Sequence, residues 1–170
     1  MNCSNRPRLG RIVLASALCA ILLLPASADA ISLRQPLRFF EGRTEMVSVV
    51  RVMMKQPYRS RTVGSGRILP DGSLAMIQQV FDDGKVPTQR NWRIRQVAPG
   101  RFAGTMTEAV GPIRVDEVAG RYRFKFRMKG NLAVEQWMTP LPGGASAQSS
   151  VTVRKLGMKV ATSVGTIRRL

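Results

Sequence analysis

Arg121-Tyr122-Arg123-Phe124-Lys125-Phe126-Arg127-Met128-Lys129 alternates a cation with an apolar side chain through nine consecutive residues. Successive side chains of an extended chain point to opposite faces. Tyr122, Phe124, Phe126 and Met128 therefore share one face, and Arg121, Arg123, Lys125, Arg127 and Lys129 share the other. A helix would scatter both sets around its circumference. The stretch reads as a β-strand with one buried face and a ladder of five positive charges outside. That ladder is a candidate anion-binding face, set against the plainer role of a solvated surface that resists edge-to-edge aggregation.

The same period spreads outward from this strand. Asn91 to Val97 places Trp92, Ile94 and Gln96 opposite Arg93, Arg95 and Val97. Residues 58–67 set Arg59, Arg61 and Arg67 against Ser60, Thr62, Gly64 and Gly66, and glycines inside a strand mark a bend or a close backbone approach. Met46 to Met54 is mostly apolar, and its valines favour a strand. Turn signals punctuate these runs: Pro70-Asp71-Gly72, Asp82-Asp83-Gly84, Pro99-Gly100, Gly111-Pro112, Ala119-Gly120, Gly130-Asn131 and Pro142-Gly143-Gly144. Short runs with regular punctuation indicate an all-β sandwich or barrel. The expectation is all-β: a single antiparallel, mostly up-and-down barrel of about 8–10 strands. Residues 140–149, rich in Pro, Gly, Ala and Ser, read as its one long connection, either a loop at the barrel mouth or a tolerated insertion. An outer-membrane barrel fits less well. Residues 58–67 carry no continuous apolar face, aromatic girdles are not evident, and the last residue is Leu170.

Ahead of the barrel, Arg6, Arg8 and Arg11 precede an apolar run from Ile12 to Leu24, and Ala28-Asp29-Ala30 supplies small residues at −3 and −1 of a cleavage site. The run falls short of the ~18–20 residues that span a bilayer. Residues 1–30 thus read as a cleavable secretory signal peptide and residues 31–170 as the barrel domain. The expected location is the periplasm. Both cysteines, Cys3 and Cys19, lie in the signal. Lipid anchoring at Cys19 does not fit, because Leu18 precedes it, Ser16 stands three before it, and the apolar run continues beyond it.

The whole chain carries 27 basic and 10 acidic residues; without residues 1–30 these become 24 and nine, a net charge of +15. Such a charge attracts anionic lipid head groups and acidic polymers, although strongly basic proteomes give the same balance with no ligand implied. There is no histidine. Ser-His-Asp and Cys-His nucleophilic sites and imidazole metal centres are thereby excluded, so no metal and no cofactor is expected.

Several local patterns resemble a proteobacterial domain-of-unknown-function family of envelope proteins. They are Phe40-Glu41-Gly42-Arg43-Thr44, Phe81-Asp82-Asp83-Gly84, Arg90-Asn91-Trp92-Arg93-Ile94, Gly100-Arg101-Phe102-Ala103-Gly104, Val110-Gly111, Trp137-Met138 and Lys155-Leu156-Gly157. Many members look like lipoproteins, and the fold the resemblance implies is a lipocalin/calycin-like barrel. The chain departs from that pattern in lacking a lipobox and in having only Glu135 as an acid near Trp137. The family carries no activity to transfer.

Weighed residue by residue, Phe40, Trp92, Tyr122, Phe124, Phe126 and Trp137 are candidate ligand-lining aromatics, with plain core packing as the alternative for each. Asp82 and Asp83 read as turn residues before Gly84 rather than paired catalytic carboxylates. Asp116 and Glu117 are adjacent and would point to opposite faces; with Glu135 they suit pairing with Arg better than catalysis. The expected function is non-catalytic binding of an apolar or amphiphilic, lipid-like envelope ligand. One alternative is a structural or interaction protein with a filled barrel and a basic surface for anionic envelope components. A second is a lipid-acting enzyme. An anionic membrane surface is a candidate partner. Nucleic acid is not, because the aromatics and the cationic ladder alternate onto opposite faces. Oligomeric state is not legible.

Overall fold

The computed structural model describes residues 36–170; the signal-peptide assignment and Cys19 lie outside the described residues. A short 3₁₀ segment, Pro36–Phe40, precedes ten strands: β1 (Gly42–Val52), β2 (Tyr58–Ile68), β3 (Leu74–Asp82), β4 (Thr88–Ala98), β5 (Arg101–Met106), β6 (Ile113–Val118), β7 (Arg121–Met128), β8 (Leu132–Pro140), β9 (Ser146–Lys155) and β10 (Met158–Arg169). Each strand pairs antiparallel with its neighbours in sequence, and β1 pairs with β10 to close the barrel. The closed, up-and-down antiparallel barrel is therefore as the alternation and turn spacing indicated, and there is no α-helix among the described residues.

Closure runs in register from Thr44 opposite Arg169 to Val52 opposite Ala161. Two features let the seam form. Gly165 of β10 faces inward against β1, where a Cβ would collide with the carbonyl oxygen of Val47. On the outer side, Glu45 of β1 accepts 2.7 Å from Arg61 Nε of β2 and 2.6 Å from Arg168 Nη2 of β10. One carboxylate, its side chain only 10% exposed, thus links three strands. The hydrogen bonds from Arg168 and then Arg61 hold its pKa below the ordinary carboxylate value against the opposing effect of burial.

The two ends of the barrel differ. At one end the Pro36–Phe40 segment folds across the opening, with Phe39 buried and its ring 5.1 Å from that of Phe40, edge to face. The carbonyl of Phe40 sits against Gly66 of β2 so closely that any side chain there would collide with it. Phe39, Ile94, Phe102, Ile113, Val115, Phe124, Met138, Ala147 and Ile167 form the packed core, and Leu37 and Phe40 pack against it. The other end, ringed by the turns 53–57, 83–87, 107–112, 129–131 and 156–157, carries no such segment among the described residues.

Two sequence expectations need correcting. The long connection at 140–149 is only residues 141–145, because β8 continues to Pro140 and β9 begins at Ser146. It lies at the plugged end, not at the open mouth, and Pro140 still stands opposite Ala147 at the end of the ladder, where a strand can accommodate a residue with no N–H. Lys129 also falls just past β7, in the turn.

Gly165→Ala should lower stability by about 1–3 kcal/mol, the usual cost of overpacking, measured by urea unfolding. Glu45→Gln should destabilise the barrel at neutral pH. Because the folded pKa is depressed, Glu45 contributes fully above the unfolded value of 4.5 and loses its contribution as pH falls through the folded value. The stability gap between wild type and Glu45→Gln should therefore stay constant above about pH 5 and close in more acidic solution.

Candidate functional site

Inward-facing side chains in the open half of the barrel do not meet, and they leave a cavity of about 230 Å³. That is the space of about eight waters at ~30 Å³ each. Its wall is mostly apolar. Met46, Met76, Met106, Met128 and Met138 contribute flexible thioethers, while Phe40, Trp92, Phe124 and Phe126 contribute rings. Methionines suit a wall that must adapt to its contents. Trp92 and Phe126 meet edge to face with centroids 6.1 Å apart.

Thr44, Ser48, Ser60, Thr62 and Ser163 add hydroxyls to the wall, and its two amides are paired. Trp92 Nε1 donates to Gln78 Oε1 at 2.8 Å, and Gln136 Nε2 donates to Ser149 Oγ at 2.9 Å. Toward the mouth the wall becomes ionic. Arg90 faces the cavity and donates from Nε to Glu108 Oε2 at 2.8 Å, both side chains being 31% exposed. Asp82 also lines the cavity and pairs with Lys85 at 2.9 Å, and the Lys85 ammonium lies 3.9 Å from the centre of the Tyr58 ring. Burial works against ionisation of Asp82, but hydrogen bonds from Ser60 and Lys85 outweigh it and its pKa is lowered. The same cluster raises the pKa of Lys85, through its contact with Tyr58 first and Asp82 second. Among the described residues, no group of His, Cys, Asp or Glu could hold a metal ion.

Of the aromatics singled out from sequence, Phe40, Trp92, Phe124 and Phe126 line this cavity together. Tyr122 does not reach it. Half-buried at the plugged end, it packs edge to face on Phe102 and lines a separate space of about 50 Å³. Burial, and then the charge of Glu117, raise its pKa.

Trp137 corrects the expectation outright, because it stands on the outer face of β8. It lies opposite Arg123 of β7, with the Arg121 and Arg123 guanidiniums 4.4 and 5.5 Å from its ring centre and its Nε1 donating to Glu135 at 3.0 Å. An aromatic therefore shares the cationic face, contrary to the strict segregation expected, although two cations of its own chain already flank it.

The ladder itself lies outside, as the alternation required, yet much of it is engaged. Arg121 donates to Thr139, Arg123 to Asp116, and Arg127 to Asn131; Lys125 lies 4.0 Å from Glu135. The buried Nε of Arg123 has no hydrogen-bond partner among the described residues. Asp116 and Glu135 thus pair with bases as expected. For Asp82 and Asp83 the turn assignment holds only in part. Asp83 accepts from the backbone N–H of Arg59 in the turn, whereas Asp82 ends β3 and faces the cavity. The lining methionines, Tyr58 and Arg90 were not singled out from sequence, although Met76 and Arg90 each fall in phase with inward neighbours, Leu74 and Trp92.

Solved structures that share this barrel include the following three. The S-type phycobiliprotein lyase CPES from Guillardia theta matches with a TM-score of 0.66 at 9% identity, covering 84% of this chain and 97% of that one. Rv2717c from M. tuberculosis matches at 0.61 and 12%, covering 81% and 97%. A protein of unknown function of the DUF3598 family from Nostoc punctiforme matches at 0.56 and 11%, covering 79% of this chain and 49% of that one. Identities this low show the fold alone. No family model matches the sequence, and neither does any curated protein.

A hollow half and a filled half should respond differently to added volume. Val134→Phe, which points into the cavity, should cost less than about 1 kcal/mol in urea unfolding. Ile113→Phe, fully buried in the packed core, should cost about 1–3 kcal/mol or more.

Proposed function

We propose that the chain is an exported, periplasmic, non-catalytic binding protein that holds the apolar part of an amphiphile in its barrel, with an anionic head at Arg90. One observation carries this: an apolar cavity of about 230 Å³ with a guanidinium at its ionic mouth. Pockets for small molecules combine an apolar wall with a few placed polar groups, and this one has that character. Its volume suits one acyl-chain segment or a small ring system and excludes a two-chain lipid. A barrel filled with side chains, the structural alternative, is disfavoured by the same cavity. The pattern of residues 1–30 supports export.

In the empty barrel Glu108 occupies Arg90, so an incoming carboxylate or phosphate head would displace Glu108 and take its place. Charge-assisted hydrogen bonds are the strong ones, which makes Arg90 the natural selector for head-group charge.

A lipid-acting enzyme remains the second reading, because Asp82 and Tyr58 do face the cavity. Binding is favoured over it. Asp82 is held ionised by Ser60 and Lys85, Lys85 is held protonated, and among the described residues no group is poised as a nucleophile with its base.

Displacement of a fluorescent fatty acid from the barrel tests the proposal. Arg90→Gln should weaken binding of anionic amphiphiles by about tenfold or more while leaving neutral analogues nearly unchanged. Glu108→Gln should strengthen anionic binding by freeing Arg90. Absence of any saturable displacement would overturn the binding function, and turnover of an ester or phospholipid substrate lost on Asp82→Asn would favour the enzyme.

A further inference from the structure

The turns around the open mouth break two local rules at once. Met54 and Leu156 both sit at their tips with φ of 62° and 49°, in the left-handed region that favours Gly or Asn. Both side chains are nevertheless large, apolar and in water, 96% and 77% exposed. The Leu156-Gly157 turn is the kind of two-residue hairpin connection in which Asn-Gly is the ordinary choice. Leucine there is unfavourable for the backbone and gains no burial in the folded chain. Local violations with no internal compensation point to function.

These two residues have company. The β1–β2 and β9–β10 turns adjoin because β1 and β10 are paired, the contact continuing to Met53 N–H on the Val160 carbonyl at 2.9 Å. Met53 and Met158 are more than half exposed beside them, and Val86 and Val110 continue the apolar rim on the other turns at 84% and 55%. Lys55, Lys129 and Lys155 stand exposed among them, with no acidic partner among the described residues. Positive charge is spread over the whole barrel, so charge alone selects no end. The apolar turn tips do: the plugged pole exposes Val97, Val118 and Leu170 but no large apolar side chain at a left-handed turn tip, whereas Met54 and Leu156 stand beside the opening of the cavity.

We propose that this rim docks end-on against an anionic lipid bilayer, inserting the Met54 and Leu156 tips among the head groups while the lysines meet lipid phosphates. The cavity mouth then faces the bilayer, and its amphiphile passes between membrane and barrel without crossing water. This last step rests on the binding function proposed above; the docking itself does not.

The test is spatial. In the mature chain, residues 31–170, which carries no cysteine, a single cysteine is placed at Leu156 or, at the opposite end, at Ala119, and labelled with nitrobenzoxadiazole. The 156 label should brighten and shift blue on phosphatidylglycerol-containing vesicles, much less on phosphatidylcholine alone. It should recover as salt rises to 1 M, where the Debye length falls to ~3 Å. The 119 label should stay unchanged. Replacing Lys55, Lys129 and Lys155 by Gln should weaken the response on the order of a hundredfold.

The decisive variant is Met54→Asn with Leu156→Asn. Asparagine suits the left-handed backbone, so thermal stability should hold or rise while vesicle affinity falls at least tenfold. Displacement of a soluble fatty acid measured without vesicles reports the cavity alone, and this variant should retain it. Equal responses at 156 and 119, equal responses to neutral and acidic vesicles, or unaltered binding by the double variant would overturn the docking. Loss of fatty-acid displacement with docking intact would instead remove the cavity function.

Discussion

Pairing of the first strand with the last is the constraint on which the rest of the molecule depends. A ten-strand sheet left open would expose two hydrogen-bonding edges and could not enclose anything; closed, it has neither problem. The seam is built from both sides of the wall. Inside, Gly165 removes the side chain that would push β10 off the Val47 carbonyl, and outside Glu45 draws Arg61 and Arg168 together across three strands. The interior role is steric and the exterior one electrostatic, so the two are independent supports of one register.

Given a closed wall, the contents decide what the barrel can do. The Pro36–Phe40 segment and the side chains from Phe102, Ile113 and Val115 complete a core at one end. The middle and the far end are lined largely by serines, threonines, valines and methionines, which are too small or too pliant to meet across the barrel. Stability is thus concentrated at one pole and vacancy at the other. A domain without a disulfide among its described residues can tolerate a hollow half only because its other half is packed tightly.

Much of this was legible in the sequence because strands report their two faces directly. The unbroken alternation of residues 121–129 located both the core face of β7 and its cationic face, and Trp92 in phase with Ile94 was placed correctly for the same reason. Trp137 was not, because its size outweighed its parity. Val134, Gln136 and Met138 form the inward set of β8, so the indole falls on the other side, where two guanidiniums flank it. Asp82 reads as a turn residue in the sequence because the Asp-Asp-Gly signature explains it adequately. Only the ladder shows that β3 reaches it, paired with Ser60, before the turn begins. Proline and glycine likewise overstated the loop at 140–149, since composition cannot reveal that Pro140 still has a ladder partner. Whether an interior is filled or empty depends on distances across the barrel, between residues far apart in sequence, and no local pattern encodes that.

Both ends of the described chain emerge at the plugged pole. Pro36 begins the segment that crosses that opening, and Leu170 leaves it with its N–H on the Arg43 carbonyl. The cavity mouth is at the opposite pole, formed wholly of hairpin turns. A fusion partner or surface attachment made at Pro36 or at Leu170 therefore leaves the mouth unobstructed and pointing away from the support. Because Pro36 and Leu170 lie at the same pole, a linker between them would run across the plugged end alone. New ends could then be opened at 99–100 or 119–120 without disturbing a single mouth turn, so the barrel is suited to circular permutation at one pole only.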